Sequence, residues 1–190
     1  MVVKIEPPNS LLMVSGVALS PKQKYLAVVS VGEGHPHLEF FLFNEVIDIE
    51  ETNNEEPAKL LFDINPYPGY ISIVKWTDDN NIIVETDRML TYSTGEYNNY
   101  SLGFHDSQKY SVNVSTKEIT PLTRDAQNPV EYFIKQLDSE HYYLVSDATI
   151  ALTKLKVITA IPKLEELAKN HEEKCIRQDA EKAVQILKNY

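Results

Sequence analysis

From Leu11 to about residue 157 the chain is a succession of short segments rich in Val, Ile, Tyr and Phe, each bounded by turn residues. In order they are LLMVSGVALS, KYLAVVSV, HLEFFLF, KLLFDI, YISIVKW, NIIVETD, KYSVNVS, KEITPL, VEYFIKQL, HYYLVS and TIALTKLKVI. Apolar runs of this length between polar breaks read as strands, and without a strand-helix alternation they specify an antiparallel meander. Residues 1–157 are therefore expected to form an antiparallel β domain. Residues 158–190 are expected as a helical segment packed on it. Pro162 suits a first helical turn, and Leu164, Leu167, Ala168, Cys175, Ala180, Ala183, Val184 and Leu187 keep a period near 3.6 residues. The apolar stripe weakens from His171 to Lys174, which leaves open one long helix or two shorter ones.

Three of the segments align with one another: VALSPKQKYLAVVSV from Val17, VKWTDDNNIIVETD from Val74 and KQLDSEHYYLVSD from Lys135. Each reads as strand, polar turn, strand. Trp76-Thr77-Asp78-Asp79 followed by Ile82-Ile83-Val84, and the run Tyr110-Ser111-Val112-Asn113-Val114-Ser115-Thr116-Lys117-Glu118-Ile119-Thr120-Pro121-Leu122-Thr123, resemble the blade repeats of TolB-like and WD40-like β-propellers. The resemblance covers roughly residues 10–155 and implies blade-like sheets. Three units are too few for a closed ring of typically four to eight blades. The expected fold is mainly β, a meander of blade-like sheets in an open or incomplete propeller, or a β-sandwich, with a C-terminal α-helix. Open sheet edges would then need a cover, or a second copy in a homodimer.

Charge is unevenly placed. The 190 residues carry a net charge of −10. Residues 1–107 hold 16 acids and 6 bases, whereas 108–190 hold 12 of each. Between Lys24 and Lys59 eight acids occur without a base, and Glu45, Asp48, Glu50, Glu51, Glu55 and Glu56 crowd into FNEVIDIEETNNEEP. Such a field repels polyphosphate, so no nucleic acid is expected as a partner. No apolar run approaches the ~20 residues that span a bilayer, so no membrane is expected either. The start of the chain has no signal-type apolar stretch, and the single cysteine forms no internal disulfide, which together suit the cytoplasm.

Residues able to do chemistry are scattered. His171 and Cys175 would share a face if one helix ran through both, as an activated thiol requires. His35 and His37 flank Pro36 in an expected turn, with no third metal ligand assigned. Asp78-Asp79-Asn80-Asn81 offers oxygens without the alternating spacing of a calcium loop. Phosphate-loop, dinucleotide, nucleophile-elbow and zinc-protease motifs are all missing from the sequence. No enzyme activity, metal or cofactor is expected.

The segment TYSTGEYNNYSLGFHDSQKY combines Tyr92, Tyr97 and Tyr100 with small polar residues, a composition suited to adaptable contact surfaces. Glu45, Asp48, Glu50, Glu51, Glu55, Glu56, Tyr92, Tyr97 and Tyr100 are thus the candidate partner-binding residues, and a basic protein is the expected partner. In size, acidity and lack of catalytic chemistry the chain resembles the immunity proteins of bacterial toxin pairs. That resemblance implies an inhibitor that caps a toxin such as a nuclease, with a propeller-like scaffold as the alternative.

Overall fold

The computed structural model describes residues 13–32, 34–44, 60–96 and 98–190. They fall into two compact units, Met1–Ala126 and Gln127–Tyr190. The first contains eight strands: β1 (Met13–Leu19), β2 (Tyr25–Gly32), β3 (His35–Leu42), β4 (Leu60–Ile64), β5 (Ser72–Trp76), β6 (Asn81–Arg88), β7 (Gly103–Asn113) and β8 (Ile119–Pro121). They form two four-stranded sheets in the orders β1-β2-β3-β4 and β5-β6-β7-β8. Among the described residues all six strand pairings are antiparallel, so each sheet is a simple up-and-down meander, as the segment spacing requires.

In the second sheet the two-residue period of the sequence becomes two faces. Ile82, Val84 and Thr86 are buried opposite Val112, Tyr110 and Gln108, whereas Ile83 and Glu85 stand on the other side opposite Ser111 and Lys109. This is the alternation of a sheet with one core face. Thr86 and Gln108, buried on this face, are satisfied: Thr86 donates to the Tyr70 carbonyl, and Gln108 Oε1 accepts from Thr123 at 2.6 Å. The first sheet differs, because β2 is buried from Tyr25 to Ser30 on both faces and reads as a continuous apolar run. Phe40 stacks on Phe62 at 4.6 Å across β3 and β4.

The hairpin turns follow from their polar residues. Ser20 Oγ accepts from the Lys24 and Tyr25 amides at 3.0 Å, closing β1 onto β2. Asn113 Oδ1 accepts from Ser115 and Thr116, which lets Lys117 adopt a positive φ of 64° before β8. Such side-chain bridging is how Asn and Ser promote turns. One expectation in this unit is corrected. His35 and His37 lie within β3, since the turn falls at Gly34, and Pro36 is tolerated because β4 does not reach its level.

The larger correction concerns residues 124–157. Strand pairing ends at Pro121, and the expected strands VEYFIKQL, HYYLVS and TIALTKLKVI are helices: α1 (Arg124–Gln127), α2 (Pro129–Gln136) and α3 (Tyr142–Lys154). Their β-branched and aromatic residues imitate strand composition, but burial follows a helical period, with Val145, Ala148, Thr149 and Leu152 inside. Pro129 opens α2 as a first-turn proline does. The third repeat from Lys135 is consequently a helix-turn-helix segment, and the expected boundary at 157/158 lies inside the helical unit. A 3-10 turn (Ile158–Ala160) leads into α4 (Ile161–Asn170) and α5 (Lys174–Leu187). In this unit α2 packs on α3, α3 on α5 and α4 on α5. Leu152, Leu164, Ile176, Ala180 and Leu187 form its interior.

Candidate interaction surface

Among the described residues each sheet of the first unit ends in two edge strands, and these four edges are built differently. β8 is three residues long and ends in Pro121. β4 carries Asp63, and β5 carries Lys75 with a register shift between Ile73 and Lys75. Short length, proline, charge and irregular register are the features that stop an edge from pairing with a foreign strand. β1, MVSGVAL, has no charge and no proline over seven residues. Its register shifts once, between Val14 and Gly16, leaving Gly16–Leu19 regular. Met13 is 70% exposed, Val14 53% and Val17 59%, whereas Leu19 packs against the cluster of Leu26, Val28, Phe41 and Phe43.

β1 and β5 lie side by side, with a cleft of about 300 Å³ between them. Its walls include Gly16, Val17 and Ala18 on one side and Ile73, Val74 and Lys75 on the other. Gly16 rests against Val29 at 3.6 Å from where its Cβ would sit, so the cleft floor comes from β2. A free backbone edge flanked by apolar side chains is the surface to which an extended peptide adds. The sequence signal for it was the uncharged run around Gly16, which alternation alone does not distinguish from a core strand.

The candidate residues read from the sequence separate into three groups. Glu45, Asp48, Glu50, Glu51, Glu55, Glu56 and Tyr97 lie outside the described residues. Tyr92 is half-buried, and its amide donates to the Met89 carbonyl at 3.0 Å. Tyr100 is only 6% exposed, so its ring belongs to the core rather than to a contact surface. Burial pushes its hydroxyl above the usual tyrosine range, and the Asp63 carboxylate adds to this. The loop holding these tyrosines is fastened by Thr94, whose amide and hydroxyl both donate to the Asn99 carbonyl, and by Asn98, which reaches the Asp63 carbonyl at 3.2 Å.

The residues considered for chemistry are separated. His171 ends α4 in an extended conformation and Cys175 lies in the first turn of α5, so they do not share a helix face. His171 Nδ1 instead accepts from the Glu173 amide at 3.0 Å. Arg177 donates to the His171 and Glu172 carbonyls, satisfying the chain break between the helices. His35 packs its ring on Tyr67, and His37 lies 3.6 Å from Asp63. Asp78 accepts from the amides of Asn80 and Asn81 and shapes the β5–β6 turn. Among the described residues no group of three His, Cys, Asp or Glu side chains is placed to hold a metal ion, and no helix is long and apolar enough to cross a membrane.

No family model matches the chain. No curated protein sequence matches it either. Among solved structures it is similar to an uncharacterized protein from Listeria monocytogenes EGD-e, at 12% identity and a TM-score of 0.36, over 57% of this chain and 26% of that one. The chain thus spans about a quarter of that protein's length.

Proposed function

We propose that the chain is a non-enzymatic, cytoplasmic protein-binding module that captures a basic protein partner, an extended segment of which adds to the free edge of β1. The observation that carries this reading is the exposed, uncharged edge strand Met13–Leu19, set in a segment with 16 acids and 6 bases over residues 1–107. The acid excess attracts a cationic partner and speeds encounter, while the strand edge supplies hydrogen bonds and apolar contact once the partner has arrived. A basic toxin domain has this chemistry, and masking one is the specific form the reading takes.

A second reading is favoured by the two consecutive four-stranded meanders. In it the chain is a propeller-like scaffold whose open sheets are completed by another copy. A homodimer that resists high salt in sizing chromatography would favour the scaffold.

The strand-addition reading is tested with a short labelled peptide of alternating valine and threonine capped by lysines, followed by fluorescence anisotropy. Saturable binding that weakens with rising salt is expected. Val17→Glu makes the surface more acidic, yet it is expected to weaken binding because it sets a carboxylate on the docking edge. Tighter binding by this variant would mean that charge alone attracts the peptide, and the strand-addition reading would fall.

A further inference from the structure

Ser30, His37, Glu39 and Asp63 share one face of the first sheet, because residues directly opposed in an antiparallel pair project to the same side. The register opposes Ser30 to His37 across β2 and β3, and Glu39 to Asp63 across β3 and β4. Glu39 is 6% exposed, and Ser30 Oγ donates to its Oε2 at 3.0 Å. His37 Nδ1 lies 3.6 Å from Asp63 Oδ2. Further along this face Leu26, Val28, Phe41 and Phe43 form an apolar cluster. Glu39 is therefore a carboxyl enclosed between an apolar cluster and a second carboxyl. The groups that face it are Ser30 from β2, His37 from its own strand and Asp63 from β4, while Tyr100 on the β6–β7 loop faces Asp63 in turn. Among the described residues no lysine or arginine joins them.

We propose that Glu39 is the proton-binding residue of a pH-sensitive latch that holds the edge strand β4 on β3. With Glu39 protonated, Asp63 is the only acidic charge of the opposed pair. With Glu39 ionised, two like charges stand directly across the ladder, which is destabilising. The yielding element is β4, since its ladder to β3 runs only from Leu38 to Phe41 with an irregularity between Phe40 and Phe41, and its other edge is unpaired among the described residues.

Burial, the largest influence, pushes Glu39 above the usual carboxylate range; the Ser30 hydrogen bond and His37 oppose this, and Asp63 adds to it. The folded chain consequently holds this proton more tightly than the unfolded chain does. The resulting stabilisation is complete below the ordinary carboxylate value and is lost as pH rises through the raised one.

Amide hydrogen exchange on the full chain, read residue by residue by NMR and corrected for intrinsic rates, tests the latch. Protection of the Leu60–Ile64 amides is expected to fall several-fold between pH 4 and pH 8, while that of Ile82–Val84 in the second sheet stays level. Glu39→Gln keeps the Ser30 contact without the charge and is expected to hold β4 protection at its acid level throughout. Asp63→Asn removes the opposed charge and is expected to shrink the fall, which covers the case in which the glutamine variant does not fold. A wild-type protein without the fall, or the same fall in either variant, would overturn the latch.

Discussion

Lys22 and Asp79 join the first hairpins of the two sheets: the Lys22 amide donates to Asp79 Oδ1 at 2.6 Å, and Lys22 Nζ lies 3.0 Å from Oδ2. The two residues are 57 positions apart, the offset that also relates Ser20 to Thr77 in the aligned hairpins. Equivalent turns of the repeat thus touch one another. Most of this link belongs to Asp79, whose side chain is 19% exposed, whereas the Lys22 side chain is 85% exposed. Asp79→Ala removes the charged acceptor of an exposed amide and is expected to cost about 0.5–1.5 kcal/mol. Lys22→Ala keeps its amide and loses only an exposed ion pair, at a cost of about 0–1 kcal/mol. Urea unfolding of both variants checks the asymmetry; equal losses would assign the link to the ammonium group.

Arg88 lies opposite Gly103 and against Gly69; the arginine at Gly103, and Asp87 together with the arginine at Gly69, leave no room for a side chain. A Cβ at Gly103 would sit 2.5 Å from Arg88 Nη1, the movable tip of a long side chain. At Gly69 a Cβ would meet Arg88 Cγ at 2.5 Å and would also collide with Asp87 Oδ1, which holds the Tyr70 amide at 3.0 Å. Gly103→Ala is therefore expected to cost about 1 kcal/mol or less, and Gly69→Ala about 2–3 kcal/mol through overpacking and the lost hydrogen bond. Thermal unfolding ranks the two, and the reverse order would mean that the guanidinium, not Asp87, is the rigid neighbour.

The strand half of this fold was legible because its turns and its alternation agree. Ser20 and Asn113 stand where hairpins close, and Ile82, Val84 and Tyr110 keep the two-residue period of a single core face. The helical half was misread at Val130 to Val157, where valine, isoleucine and tyrosine suggested strands while Val145, Ala148 and Leu152 already stood three and four apart. Composition outweighs periodicity there, although Pro129 marks the start of a helix. The opposition of Glu39 to Asp63 was invisible in the sequence, because it depends on the register between β3 and a strand more than twenty residues away. Tyr100 was misassigned to the surface since its polar neighbours conceal that the ring turns inward.

Acid should loosen the β5–β6 turn. Hydrogen bonds from the Asn81 side chain, first, and from the Asn80 and Asn81 amides hold Asp78 below the usual carboxylate range. The folded chain binds this proton less readily than the unfolded chain. The contribution of Asp78 is therefore present above the ordinary aspartate value and is lost as pH falls through the lowered one. Asp78→Asn is expected to flatten that part of the stability profile, as urea midpoints from pH 2 to pH 6 would register. An unchanged slope in the variant would place the acid sensitivity in other carboxylates.

Val17 and Val28 oppose each other across β1 and β2, yet Val17 is 59% exposed and Val28 is 1% exposed. Removing apolar atoms from the two should therefore have unequal effects. Val28→Ala empties space in a packed interior and is expected to cost about 1–3 kcal/mol. Val17→Glu changes an exposed edge position, and its stability is expected to stay within about 0.5 kcal/mol of wild type. The comparison matters for the proposed strand addition, because a Val17 variant that loses the peptide while keeping its urea midpoint has lost a surface and not a fold. If Val17→Glu instead unfolds as readily as Val28→Ala, then β1 is part of the interior of the protein, and the docking edge assigned to it does not exist.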